Sequence, residues 1–243
     1  MRITRLYHPE NLRCSETTQL DTSASNHLVR VLRSKAGTDI ILFNGDGFDY
    51  LCKMLDTDPR KTSVAVESSV QTDNESNLSI TLIQGLSRQD RMEATIQKSV
   101  ELGVNRIIPV ICQRSNSRLS KEKQMKRRQH WHKVAISACE QSGRSIIPEI
   151  TEVTSLKELL PLLDQQALKL NLDPQADVSL KDIDSNQQKI ELFIGPEGGI
   201  NDDETNYLRK NKFESIRFGP RILRTETAGP AVISAVQTLW GDL

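Results

Sequence analysis

Two short segments combine residue types that a plain connection does not need. The first is Leu192-Phe193-Ile194-Gly195-Pro196-Glu197-Gly198-Gly199-Ile200, an apolar strand running into a glycine-rich turn. Open parallel sheets bind ligands at the carboxyl ends of their strands, and glycines there let backbone approach a ligand closely. Taken alone, the segment reads equally as a tight strand-to-helix turn. Its spacing is neither G-x-G-x-x-G nor G-x-x-x-x-G-K-[ST], so the phosphate cradles of dinucleotide and triphosphate sites are missing. A cofactor without phosphates fits better. The second segment, Phe218-Gly219-Pro220-Arg221-Ile222-Leu223-Arg224-Thr225-Glu226-Thr227-Ala228-Gly229-Pro230, sets two arginines and a glutamate between apolar elements. Arg224 and Glu226 could form a surface ion pair contributing about 0–1 kcal/mol, or could handle charge on a reacting group.

Such loops need a sheet behind them. From Leu78 onward, β-like and helical segments alternate. Strands are expected at Leu78 to Gln84, Arg106 to Ile111, Glu149 to Val153, Ala167 to Leu172, Ile190 to Ile194 and Glu214 to Phe218, with helices between them. The clearest helices are Arg91 to Leu102, Lys121 to Ser142 and a last one ending near Trp240. This alternation predicts an α/β domain with a mostly parallel sheet covered on both faces. Asn201 is placed to cap a helix whose first turn holds Asp202, Asp203 and Glu204, where the helix dipole favours acids. Pro230 is expected in the first turn of the last helix, where a proline loses no intrahelical hydrogen bond. The polar run Gln71 to Asn77 has nothing to bury and divides a domain at 1–72 from one at 78–243. Before it, Asp39 to Phe43 and Ser63 to Val66 read as strands, Asn44-Gly45-Asp46-Gly47 as a turn, and Ser25 to Leu32 as one short helix.

The chain has 243 residues, and its 32 Lys and Arg cancel 32 Asp and Glu, which excludes a bulk polyelectrolyte binder but not local clusters. No apolar run approaches the roughly 20 residues of a membrane helix, and the N-terminus lacks a secretory pattern, so a cytoplasmic protein is expected. Cys14, Cys52, Cys112 and Cys139 form no C-x-x-C pair, and His130 and His132 point to different helix faces, so reduced thiols and no metal are expected. From Arg114 to Lys133 there are eight Lys or Arg against Glu122 alone. Trp131, Val134, Ala135 and Ala138 mark the buried side of that helix, leaving a cationic face with Arg114, Lys126, Arg127 and Arg128. It is either a solvated face or a salt-sensitive RNA phosphate contact. Near the start, Arg2, Arg5, Arg13, Arg30, Arg33 and Lys35 outnumber Glu10, Glu16 and Asp21, and Tyr7 and His8 could add contacts to RNA.

Gly195-Pro196-Glu197-Gly198-Gly199 followed by Arg221-Ile222-Leu223-Arg224-Thr225-Glu226-Thr227-Ala228 resembles the paired signature loops of the RsmE family, the 16S ribosomal RNA (uracil-N3)-methyltransferases of the SPOUT superfamily. His27-Leu28-Val29-Arg30-Val31-Leu32-Arg33, Lys98 with Glu101-Leu102-Gly103-Val104, Arg114-Ser115 and Glu140-Gln141-Ser142-Gly143-Arg144 carry the likeness nearly end to end. The resemblance implies an N-terminal PUA-like β-barrel that binds RNA, a C-terminal domain with a deep trefoil knot, and a homodimer. It implies S-adenosylmethionine surrounded by Leu172, Gly195, Gly199, Phe218, Gly219, Ile222, Leu223, Thr225 and Thr227. Phe218 stands where the family usually has leucine, Ile200-Asn201 replaces Phe-Ser, and Gly229-Pro230 interrupts an alanine-rich helix start. These changes bear on pocket shape and remove no polar group. Uracil N3 carries a proton, so methylation requires its departure and stabilisation of the charge left on the ring. Arg224 suits that charge, since a guanidinium stays protonated. Glu197 and Glu226 are candidate proton acceptors, or partners that orient Arg224; the base is left unassigned. A related knotted methyltransferase with another RNA site, and a non-catalytic RNA-binding protein, are the alternatives. A nucleotide-dependent oxidoreductase is opposed by the missing phosphate fingerprint.

Overall fold

A computed structural model describes residues 3–115, 120–184 and 186–243, so Arg2 lies outside the described residues. The chain divides into two compact units, one running to Glu75 and including Cys139–Ile147, the other comprising Ser76–Ala138 and Pro148–Leu243.

The first unit is a five-stranded sheet of β1 (Thr4–Tyr7), β2 (Thr17–Gln19), β3 (Asp39–Phe43), β4 (Phe48–Met54) and β5 (Ser63–Gln71), in the order β1-β3-β4-β5-β2. β1 runs parallel to β3 and the other pairs are antiparallel. Alternation sets the core: Tyr50, Cys52 and Met54 of β4 face inward, against Ile40 and Leu42 of β3 and Val64 and Val66 of β5. The expected single helix is two elements. Asp21 caps α1 (Thr22–Asn26) by accepting the Ala24 N–H at 2.7 Å, so the helix begins early. It then widens into a π-turn at His27–Val31, where the Leu32 N–H reaches the His27 carbonyl. Leu28 anchors this turn in the core, while Arg30, Val31, Leu32 and Arg33 are exposed.

The segment Cys139–Ile147 joins this unit through bonds that no boundary drawn along the sequence could include. Arg144 forms a two-bond fork on Glu75 at 2.5 and 2.9 Å, and Glu140 accepts the Tyr7 N–H at 3.0 Å. Arg5 is the centre of the network. Its guanidinium donates to Asp49 at 2.5 Å, to Ser145 Oγ at 2.8 Å and to the Cys139 carbonyl at 3.0 Å, and it lies 4.7 Å over the Phe43 ring. The expectation that Arg5 contacts RNA therefore fails, because a side chain left 8% exposed has its donors committed inside the unit.

His8 is likewise buried, with Nε2 3.2 Å from Thr18 Oγ1, which removes it from the RNA face. Burial lowers its imidazole below the ordinary 6.5, outweighing the opposing pull of Glu10 and Asp21. As pH falls the unfolded chain takes up this proton first, so stability is lost as pH drops below about 6.5 and levels off near the folded value. Urea unfolding from pH 8 to pH 5 should show this loss, and His8→Gln should flatten it. An identical pH dependence in the variant would assign the loss to another group.

The second unit is built on an all-parallel, seven-stranded sheet. Its elements are β6 (Ser79–Gly85), α2 (Gln89–Glu101), β7 (Arg106–Ile111), α3 (Lys121–Ser142, whose last turn belongs to the first unit), β8 (Glu149–Ile150), β9 (Thr154–Ser155), β10 (Leu168–Leu172), β11 (Lys189–Ile194), α4 (Asp202–Lys210), β12 (Glu214–Ile216) and α5 (Thr225–Trp240). The order is β12-β10-β11-β6-β7-β8, with β9 also on β7. The strand expected at Glu149 to Val153 is thus only the two residues of β8, and β9 begins just after it. Between β9 and β11 the expected helices are single 3-10 turns at Leu156–Glu158, Leu160–Leu162 and Leu180–Asp182.

One sheet face packs Ile83, Ile108 and Phe193 against Leu208 and Phe213, with the two phenylalanine rings edge-on at 6.4 Å. Strand alternation sends Leu82 and Gln84 of β6 to the other face, where a Cβ added at Gly229 of α5 would lie 3.6 Å from each of them. The helix α5 starts at Thr225, so Pro230 is its sixth residue and not in its first turn. The bond that residue 230 would donate to the Glu226 carbonyl cannot form.

Candidate active site

β6 and β11 are neighbours, with Gln84 opposite Ile194, so their carboxyl ends emerge side by side. The glycine turn follows β11, and Gly85 ends β6. A Cβ at Gly85 would sit 2.5 Å from the Pro196 nitrogen, so only glycine lets the two chains touch. The turn closes with the Gly199 N–H on the Pro196 carbonyl at 2.8 Å, and Gly199 takes φ +67°, the left-handed region glycine occupies without strain. Asn201 then caps α4 reciprocally: its Oδ1 accepts the Glu204 N–H at 2.8 Å, and the Glu204 carboxylate accepts the Asn201 N–H at 3.1 Å. The other Glu204 oxygen accepts the Gln113 N–H at 2.7 Å, which braces the turn against the segment after β7. Arg114, in that segment, reaches the Gly198 carbonyl at 3.4 Å.

The second loop is fastened to the first by one hydroxyl. Thr225 Oγ1 donates to the Gly195 carbonyl at 2.8 Å and accepts from Gln84 Nε2 at 2.9 Å. Gln84 is fully buried, and its amide also donates to the Gly85 carbonyl at 3.1 Å. The ends of β6 and β11 and the start of α5 thus meet at Thr225.

Arg224 is the N-cap of α5. Its carbonyl accepts the N–H groups of Thr227 and Ala228 at 2.9 and 2.8 Å, fixing the backbone, while its side chain is exposed and has no hydrogen bond or ion pair among the described residues. The surface pair between Arg224 and Glu226 is not formed. Glu226 faces Arg91 of α2 at 3.9 Å instead, and Glu197 lies 3.5 Å from the same guanidinium while accepting the Arg88 N–H at 3.0 Å. Arg91 was invisible in the sequence, where it reads as one more cation at the start of a helix. Both glutamates keep a buried Oε2 with no hydrogen-bond partner among the described residues.

A cavity of about 580 Å³ is lined on one side by Phe218, Gly219, Arg221 and Leu223 and on the other by Ala235 and Leu239 of α5. Leu172 closes β10 opposite Ile216, half-buried. The Ile222 side chain is 83% exposed and does not line the cavity, which leaves its backbone as the part of it that could meet a ligand. Thr227 is exposed in the first turn of α5.

The basic run on α3 is less available than its composition implied. Trp131, Ala135 and Ala138 are buried, as their spacing predicts, while Val134 is only half-buried. Lys126 is paired with Glu122 at 2.7 Å. Arg128 is half-buried, donating to the Ile150 carbonyl at 2.8 Å, and Arg127 is also half-buried. Arg128 is thus drawn onto the protein by neighbouring backbone, and Arg127, half-buried beside it, presents less of the free cationic face assigned to them.

Thr225→Val keeps the shape of the side chain but leaves the Gly195 carbonyl without its donor and Gln84 without its acceptor. Urea unfolding should show a loss of about 1–3 kcal/mol, with Thr225→Ser much closer to wild type. A valine variant as stable as wild type would show that the hydroxyl does not hold the loops.

Comparison with known proteins agrees with this arrangement. Residues 74–237 match the model of an RNA methyltransferase domain and residues 20–67 that of an RNA methyltransferase PUA domain. The ribosomal RNA small subunit methyltransferase E of Buchnera aphidicola is 31% identical over 99% of this chain and 95% of its own, and that of Bacillus subtilis 32% identical over 87% and 86%. The crystal structure of this enzyme from Neisseria gonorrhoeae bound to S-adenosyl methionine superposes with a TM-score of 0.92 over the whole of both chains at 38% identity. A Legionella pneumophila chain crystallised with bound SAM superposes with a TM-score of 0.95, again over both whole chains, at 34% identity. On the paired loops, the parallel sheet behind them and this end-to-end likeness, the chain belongs to the ribosomal RNA small subunit methyltransferase E family.

Proposed function

We propose that this chain transfers the methyl group of S-adenosylmethionine to N3 of a uracil in 16S ribosomal RNA, at the site formed by the glycine turn and the loop before α5. The observation that carries this reading is the Thr225 hydroxyl, which joins the two loops beside the apolar wall of Phe218 and Leu223. The residues fit the cofactor: the loops offer backbone carbonyls and amides, apolar side chains and carboxylate acceptors, and the first lacks a phosphate cradle. Leu172, Gly195, Gly199, Phe218, Gly219, Leu223 and Thr225 would hold it, with Ile222 and Thr227 contributing through their loop. When bound, the sulfonium supplies an activated methyl group.

The protein's own task is to align the acceptor nitrogen, remove its proton and hold the resulting charge. Arg224 is suited to the charge because its backbone is fixed at the N-cap while its guanidinium has no protein partner to leave. Glu197 and Glu226 remain the candidate proton acceptors. Arg30 and Arg33, exposed at the π-turn, and Arg114, exposed beside the glycine turn with one bond to the Gly198 carbonyl, are the arginines assigned to RNA phosphates. The first unit serves as the RNA-binding PUA-like module, and a ribosomal RNA substrate supports a cytoplasmic enzyme. The chain's return from the edge strand β12 to the centre of the sheet at Thr225 supports a C-terminal trefoil knot of the SPOUT kind. Exposed Val178, Ile222, Leu239 and Leu243 support a homodimer that covers them.

Labelled S-adenosylmethionine should methylate unmethylated small ribosomal subunits or free ribosomal RNA, with the label mapping to uracil N3. Arg224→Ala should lower turnover by at least about 100-fold while affinity for S-adenosylhomocysteine changes less than about threefold. Unimpaired turnover in that variant would remove Arg224 from the chemistry.

A further inference from the structure

Arg91 stands in the first turn of α2, an element that neither signature loop belongs to. Its guanidinium lies 3.5 Å from Oε1 of Glu197, on the glycine turn, and 3.9 Å from Oε1 of Glu226, on α5. The Arg88 N–H, one helical turn earlier, binds the same Glu197 oxygen at 3.0 Å. Two carboxylates from segments distant in the chain therefore converge on one cation. Without it they would repel each other. A guanidinium presents a planar fork of donors that can serve two anions at once, which a lysine ammonium does less well.

As a source of stability the cluster is weak. The contacts are long, and the Arg91 side chain is 28% exposed, so solvent screens them. Its geometric consequence is larger. Thr225 joins the loops through a neutral hydrogen bond, and Arg91 joins them again through charge, with Glu226 directly after Thr225 and two residues after Arg224. We propose that Arg91 is a positioning residue for methyl transfer: by holding Glu197 and Glu226 against each other it sets where the start of α5 presents Arg224. This rests on the methyl-transfer reading above.

The test uses the full-length chain as Arg91→Met and Arg91→Lys. Methyl transfer to ribosomal RNA, S-adenosylhomocysteine titration and thermal unfolding are measured on each. Arg91→Met should lower kcat about 100-fold, the scale of an ångström-level misplacement, with KM for RNA and S-adenosylhomocysteine affinity within about threefold and thermal unfolding little moved. Arg91→Lys should recover part of the loss. Wild-type kcat in Arg91→Met, or a loss that merely tracks unfolding, would overturn the proposal. A wild-type chain that transfers no methyl group would defeat the functional reading, and the positioning role with it.

Discussion

The hydroxyl of Thr225 is the constraint on which the rest of the site depends. It bridges a fully buried glutamine amide at the end of β6 and a carbonyl at the end of β11, and it does so from the first residue of α5. A buried carbonyl or amide left unpaired is costly, so each of the three elements fixes the other two. Gly85 allows the chains to come that close, Gly199 supplies the left-handed turn, and the capping box of Asn201 and Glu204 keeps that turn from relaxing away. The backbone of Arg224 is then held at the N-cap by hydrogen bonds to its own carbonyl, and its side chain is left for chemistry.

The arginines divide by what surrounds them. Arg5 and Arg144 are consumed inside the first unit by Asp49, Ser145 and Glu75, where they tie Cys139–Ile147 to the sheet. Arg128 satisfies the carbonyl of Ile150, the last residue of β8, and Arg91 gathers two carboxylates. Arg30, Arg33 and Arg224 remain exposed. A chain with no net charge can thus still present cations where they matter, because much of its positive charge is neutralised structurally.

What could be read from the sequence follows the range of the forces involved. Local signals were legible: the strand into Gly195, the Asn201 cap, the buried stripe of Trp131, Ala135 and Ala138, and the loop that Arg224 ends. Local signals also misled where tertiary context decided otherwise. Pro230 looked like a first-turn residue, but the pull of Gln84 and Gly195 on Thr225 starts α5 earlier and puts the proline inside it. Arg5 looked like surface charge because Asp49 and Ser145 are distant in the chain, and Arg91 could not be singled out because its two partners are likewise distant. Ile222 matched the loop pattern of a cofactor site, yet its side chain is exposed, since a loop motif fixes backbone more firmly than side-chain direction.

The central claim is that the glycine turn and the start of α5 form one binding site because Thr225 holds them together. Amide hydrogen exchange with and without S-adenosylhomocysteine tests it most directly. The account predicts that the ligand slows exchange across Gly195 to Gly199 and across Gly219 to Thr227 together, and that Thr225→Val weakens both effects in parallel. Protection confined to one of the two segments, or unaffected by the loss of the hydroxyl, would contradict it.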